Sequence, residues 1–208
     1  MMRARHPSLL SCRHPSRILP PVLPRIWLIS DARNDAALAA ALNRLPPGQG
    51  FIFRHYHLAE PARLARFRCL AKVARARGHV VILAGSVAAA RRAGGDGAYG
   101  SADRLAQGGG GLRLVTAHSL REMAGAQRGQ PGARADAILL SPVWPTRSHP
   151  GAKGLGPARF RLLAARALVP VIALGGMTRA RARSLRWPRW AAIDGLSAPI
   201  IRPAAGDS

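Results

Sequence analysis

Eight short apolar segments separated by helix-forming stretches predict an α/β fold, a single small (β/α)8 TIM barrel behind a disordered basic N-terminal tail. The alternation implies a parallel sheet, because parallel neighbours need a crossover between them. Eight units favour a closed barrel over an open doubly wound sheet, and no Gly-x-Gly-x-x-Gly opens the first helix. At 208 residues the chain holds one domain, near the lower size for this architecture.

Residues 1–24 carry Arg3, Arg5, Arg13 and Arg17 among prolines, with no acidic residue and no apolar core of a secretory signal. They read as a disordered tail, or as sequence upstream of the true start, and the barrel is expected over 25–202. Strands are expected at Ile26–Ser30, Phe51–Phe53, Val80–Leu83, Gly97–Tyr99, Leu112–Val115, Ala137–Leu140, Val169–Leu174 and Ala192–Leu196. Helices are expected at Ala36–Arg44, Glu60–Arg77, Ser86–Arg92 (capped by Ser86), Ala102–Gln107, Ser119–Arg128, Arg159–Leu168 and Arg179–Arg186. Trp187 and Trp190 fall in the connection before the last strand, where hydrophobic packing is their default role.

The formal charge of +23 invites a nucleic-acid reading. Yet Lys72 and Lys153 are the only lysines, and the arginines are scattered over every expected helix amid abundant alanine, glycine and proline. Few aromatics are present for base stacking, so nucleic acid is expected to bind only non-specifically. No apolar run approaches a membrane span. Cys12 and Cys69 have neither metal-ligand spacing nor a disulfide framework, which points to a reducing cytoplasm. His55 and His57, two apart and on one side of a strand, lack a third ligand and read as strand-end polar residues.

Two stretches carry chemistry. The run Ala137–Leu140 ends at Ser141-Pro142 and opens into a polar loop with Thr146, Arg147, Ser148, His149 and Lys153. Hydroxyls, cations and free amides directly after a buried strand suit an anion, although a solvated loop has the same composition. The run Val169–Leu174 ends in Gly175-Gly176, where the backbone can approach a ligand. Two strand-then-anion-loop units in succession are better than one, because ligand sites in parallel α/β folds gather at the carboxyl ends of strands.

These stretches resemble the thiamine phosphate synthase and thiazole tautomerase family, which consists of small (β/α)8 barrels. The resemblance covers about residues 25–200. It rests on Ile26–Asp31, Phe53-Arg54, Thr116-Ala117-His118-Ser119, Ser141-Pro142-Val143-Trp144-Pro145-Thr146, Ile172–Met177 and Ile193–Ser197. The resemblance implies an enzyme of thiamine biosynthesis that joins an aminopyrimidine pyrophosphate to a thiazole phosphate and releases pyrophosphate, with Mg2+ bridging the leaving group. It implies that Thr146, Arg147, Ser148, Gly175, Gly176 and Ser197 hold the thiazole phosphate. Arg54, Thr116 and His149 would face the pyrophosphate, with His118 and Arg54 as catalytic candidates.

Departures from the family pattern are concentrated on the metal half. The third strand ends in Ala84-Gly85 where an aspartate is expected, and Asp103 matches a second metal aspartate only across a gap. His149 stands for a lysine, and Arg54 is followed by His55-Tyr56. Pro142 stands where the tautomerase branch has a histidine, leaving His118 as a nearby acid or base or as a residue closing the turn before a helix. The expectation is a divergent synthase using small phosphorylated substrates. A tautomerase-like protein, or a phosphate-binding barrel that has lost its metal site, is the alternative. A nucleic-acid-associated protein comes last, and a homodimer is left open.

Overall fold

The computed structural model describes residues 22–107, 109–128, 133–146, 151 and 153–197; most of the expected tail, and the last five residues of the expected 25–202 barrel, lie outside them. Eight parallel strands close into a barrel in sequence order: β1 (Ile26–Ile29), β2 (Gly50–Phe53), β3 (Val80–Ala84), β4 (Gly97–Gly100), β5 (Leu112–Ala117), β6 (Ala137–Leu140), β7 (Val171–Ala173) and β8 (Trp190–Ala192). The crossovers carry α1 (Leu38–Arg44), α2 (Glu60–Ala76), α3 (Val87–Arg92), α4 (Ala102–Leu105), α5 (Leu120–Gln127), α6 (Gly156–Ala164) and α7 (Arg179–Leu185); α8 (Asp194–Ser197) follows β8.

The strands read as continuous apolar runs because both of their faces are buried. Alternate residues split into two layers. Trp27, Ile29, Ile52, Ile82, Leu114, Leu139 and Ile172 fill the barrel interior. Leu28, Phe51, Phe53, Val81, Leu83, Val115, Ile138 and Leu140 pack outward with Phe67 and Phe160 of the helices. Trp27 is fully buried, and its indole N–H donates to the Pro24 carbonyl at 2.9 Å. Gly50 makes room for that ring, since a Cβ there would lie 2.1 Å from it.

Caps place the helices. Ser86, Ser119 and Thr178 accept from the Ala89, Glu122 and Arg181 amides, which fixes the starts of α3, α5 and α7. Asp31 opens a 3-10 turn at Ala32–Ala37 that precedes α1 and replaces the start of the expected helix at Ala36; Asn34 completes the reciprocal cap by accepting from the Asp31 amide at 2.8 Å.

Two expectations need correction. The last strand begins at Trp190, not Ala192: Trp190 pairs with Ile26, and its ring joins the outer apolar layer. The segment expected to continue that strand turns into α8 at Asp194, where the Ser197 hydroxyl donates to the Ile193 carbonyl at 2.8 Å. β2 ends at Phe53, so His55 and His57 do not share a strand face. His55 has φ 21 and is buried, whereas His57 is exposed. Trp187 does pack, edge-on to Phe160 at 5.2 Å.

Candidate functional site at the carboxyl ends of the strands

Every residue singled out from the sequence for ligand chemistry, among the described residues, falls at the end of the barrel where strands give way to helices. Arg54 follows β2. Its side chain is 17% exposed and its Nη2 donates to Asp31 Oδ2 at 3.1 Å, the pairing that a purely structural role would also give. Its Nε is buried without a hydrogen-bond partner. A buried guanidinium N–H without an acceptor costs free energy, and Arg54 stands at the strand end where ligands gather in this fold, which makes it an anion-binding candidate.

On the far side of the barrel, the loops after β6 and β7 are interlocked. Val143 and Trp144 amides donate to the Leu174 and Gly175 carbonyls at 2.8 and 3.1 Å. Gly175 has φ 96, and a Cβ on it would lie 2.6 Å from Pro142 Cα; Gly176 has φ 60, and its Cβ would lie 2.6 Å from the Pro145 carbonyl oxygen. Both positions therefore demand glycine on conformational and steric grounds. Neither glycine's amide donates to a described residue. Arg181 Nη1 donates to the Gly176 carbonyl at 2.5 Å, and its guanidinium covers the Trp144 ring at 5.4 Å. Thr146, half-buried, continues this loop, while Arg147, Ser148 and His149 lie outside the described residues.

The remaining candidates divide. Thr116 is half-buried on β5, two residues beyond Leu114 of the inner layer. His118 is exposed, with Nδ1 2.9 Å from the Ser141 carbonyl oxygen and 3.2 Å from Ser141 Oγ. A carbonyl only accepts, so Nδ1 carries the proton and Nε2 is left as the acceptor available for proton transfer. The same contact braces the turn before α5. Ser197 is buried, and its hydroxyl accepts from Asn34 Nδ2 at 2.9 Å while donating to Ile193. Those bonds tie α8 to the 3-10 turn and engage the hydroxyl within the fold.

Residues to which the sequence reading gave no ligand role complete the β1–β4 side. His55 is stacked on Phe53 at 4.5 Å and held between Ser30 and Asp35. Arg63 reaches from α2 to donate to the Arg54 and Ala84 carbonyls at 3.2 and 2.5 Å. Arg66 donates to Asp35 Oδ1 at 2.9 Å. For Arg63 and Arg66 the sign in the sequence is their spacing with Glu60 along one helix face.

A divalent ion does not fit this donor set. Gly85, at the end of β3, offers no side-chain oxygen and sits at φ 145; Asp103 is exposed on α4. Among the described residues no cluster of three or more His, Cys, Asp or Glu side chains could hold a metal. Mg2+ and its relatives need converging oxygens, whereas Asp31 is paired with Arg33 and Arg54 and Asp35 with His55 and Arg66.

The sequence model of thiamine monophosphate synthase matches residues 26–196, spanning all eight strands. The chain belongs to the thiamine monophosphate synthase family. No protein of curated function matches it. Among solved structures, it is similar to a thiamine phosphate pyrophosphorylase from Pyrococcus furiosus, with TM-score 0.66 and 19% identity over 84% of this chain and 88% of that one. A thiamine phosphate pyrophosphorylase from Bacteroides thetaiotaomicron gives TM-score 0.54 and 11% identity over 83% and 84%. At these identities the structures speak for the barrel fold, and the family assignment rests on the sequence match.

A cavity of about 440 Å3 opens elsewhere, over the amino ends of β8 and β1, lined by Arg25, Gln49, Trp187 and Trp190 among others. It contains none of the candidate residues and lies at the wrong end of the strands for this fold. Among the described residues no helix is long and apolar enough to cross a membrane.

Proposed function

We propose that this family member is a thiamine phosphate synthase-type transferase, joining an aminopyrimidine pyrophosphate to a thiazole phosphate. The observation that carries the reading is the pair of amides at Gly175 and Gly176 that donate to no described residue, in a loop held against the β6 loop by two backbone hydrogen bonds. Such a cradle suits a phosphate, with Thr146 alongside it and Arg147 and Ser148 following in sequence. Arg54 follows β2, which the closed barrel places opposite β6, so a phosphate at one side and a pyrophosphate at the other would bracket the mouth.

In the reaction a thiazole nitrogen attacks the pyrimidine methylene carbon, a C–N bond forms, the C–O bond breaks, and pyrophosphate leaves with the electron pair. The protein's part is to align the two substrates and to meet the charge developing on the leaving group. Arg54 supplies fixed donors for that charge, and Thr116 lies on β5 of the same rim. The His118 Nε2 atom is free to exchange a proton there. The substrates imply small phosphorylated partners and a cytoplasmic setting.

A second reading, a barrel that binds the thiazole phosphate without turnover, is favoured by Gly85 standing where a metal carboxylate is expected. Calorimetric titration with thiazole phosphate, with and without the aminopyrimidine pyrophosphate, separates the two. Binding with product formation supports the synthase, binding alone supports the second reading, and no binding contradicts both.

A further inference from the structure

The ends of β2, β3 and β4 present cations where the family resemblance leads one to expect metal-binding carboxylates. Arg54 extends from β2 with its Nε unpartnered. Arg63 crosses from α2 to the end of β3, its guanidinium fixed on the Ala84 carbonyl and 5.7 Å from the Tyr56 ring. Arg104 lies over the end of β4, close enough that a Cβ on Gly100 would be 3.3 Å from its Cδ, and it makes no hydrogen bond or ion pair with a described residue. Gly85 leaves open space between them, because a Cβ there would meet nothing within 4 Å.

Tyr56 lies between the first two of these arginines. It is 59% exposed, yet desolvation of its hydroxyl is the largest influence raising its pKa, helped by the Tyr99 phenol; Arg54, Arg104 and Arg63 all pull it back. Two guanidiniums flank the ring, Arg54 at 6.0 Å and Arg63 at 5.7 Å from its centroid, while Arg104 lies over the end of the neighbouring strand at Gly100. The acidic groups facing them are few: Asp31 on Arg54, Glu60 at 3.6 Å from Arg63, and exposed Asp103 beside Arg104 in sequence.

We infer that Arg54 and Arg104, with Arg63 bracing the turn between them, form a polyanion site that takes a pyrophosphate group without a metal ion. The identity of the group rests on the synthase reading above; the arginine chemistry does not. Guanidinium forks match phosphate oxygens two at a time and carry a fixed charge, so they can neutralise a pyrophosphate where the carboxylates for a hard cation are missing. Arg63 holds the turn and shapes the open space beside Gly85, while Arg54 and Arg104 have donors to spare.

The test is calorimetric titration of the full chain with inorganic pyrophosphate, first in excess EDTA and then in Mg2+, at a salt concentration that suppresses non-specific charge binding. The expected result is binding in EDTA, with Mg2+ changing Kd less than about threefold, and losses of about tenfold for Arg104→Ala and Arg54→Ala. Arg54→Lys, which keeps a cation near Asp31, should recover part of the loss. Arg68→Ala removes an equal charge from the exposed face of α2 and should shift Kd less than about twofold. Binding only with Mg2+, no binding, or an equal loss for Arg68→Ala would overturn the inference. Thiazole phosphate titrated into the same preparations keeps the two ideas apart. If it binds while pyrophosphate in EDTA does not, the arginine site fails and the synthase reading stands; the reverse result removes the synthase reading and leaves the site.

Discussion

His55 Nε2 lies 2.6 Å from Asp35 Oδ1 while its Nδ1 lies 2.8 Å from Ser30 Oγ, so one imidazole ties the turn after β2 to the turn after β1. The order serine–histidine–aspartate imitates a nucleophile relay, but Ser30 is fully buried and already accepts from the Arg54 amide at 2.7 Å. The chain of bonds therefore positions Arg54. Burial lowers the pKa of His55 despite Asp35, so the neutral ring donates from Nε2 to the carboxylate and accepts at Nδ1 from the serine.

His55→Phe keeps the ring volume and removes both bonds. Ser30 then has no acceptor for its hydroxyl, and Asp35 retains only Arg66. The expected cost is about 1–3 kcal/mol in urea denaturation, because a buried polar group is left unsatisfied. Pyrophosphate affinity should fall with it, through misplacement of Arg54. An unchanged midpoint and unchanged affinity would remove the positioning role.

Acid should weaken the fold in two stages. His55 is lowered from 6.5 chiefly by burial, which outweighs its hydrogen bond to Asp35, with His57 and Arg66 adding to the shift; His79 is lowered chiefly by burial as well. The unfolded chain takes up protons below pH 6.5 that the folded chain refuses, so stability is full above that value and declines beneath it. Asp31 and Asp35 are also lowered. Burial is the largest single influence and opposes the shift, but hydrogen bonds and charges from Arg33 and Arg54, and from Arg66 and His55, together prevail. Their contribution is present above 3.8 and is lost as pH falls from there through the folded-state values. Denaturation midpoints between pH 8 and pH 3 check both stages; a midpoint flat across pH 7 to 5 contradicts the first.

Gly175→Ala forces a Cβ to within 2.6 Å of Pro142 and strains a backbone at φ 96. The expected outcome is a loss of about 1–3 kcal/mol of stability. Because the same residue supplies an amide to the cradle, thiazole phosphate affinity should drop more than ten-fold, roughly, in calorimetry, whereas pyrophosphate affinity should change little.

Gly85→Asp restores the side chain that the family resemblance leads one to expect, and space exists for it. The backbone does not suit it, since φ 145 favours glycine. The variant should lose about 1–3 kcal/mol of stability and gain no Mg2+-dependent pyrophosphate binding, because Arg63 occupies the neighbouring carbonyl. A Mg2+-dependent gain in affinity would show that the metal site needs only this one side chain.

The sequence shows what is decided within one segment and hides what is decided by a partner distant along the chain. β6 and β7 and the glycine-bearing loops stood out because strands buried on both faces leave uninterrupted apolar runs, and because Gly175-Gly176 breaks such a run abruptly. Trp190 was missed as a strand residue because its membership is decided by pairing with Ile26, a partner distant in sequence. Ser197 looked like a strand-end hydroxyl until Asp194 turned the chain into α8 and Asn34 engaged it. The His55–Asp35 and Arg63–Ala84 bonds join separate crossovers, and periodicity within one segment carries no trace of them.

The central claim, that the barrel mouth aligns a thiazole phosphate with an aminopyrimidine pyrophosphate, is tested most directly by incubating the full chain with both substrates and measuring thiamine phosphate. The account predicts product, with the rate falling sharply in Arg54→Ala and in Gly175→Ala while Arg68→Ala retains it. No product from a preparation that is folded and binds both substrates would contradict it.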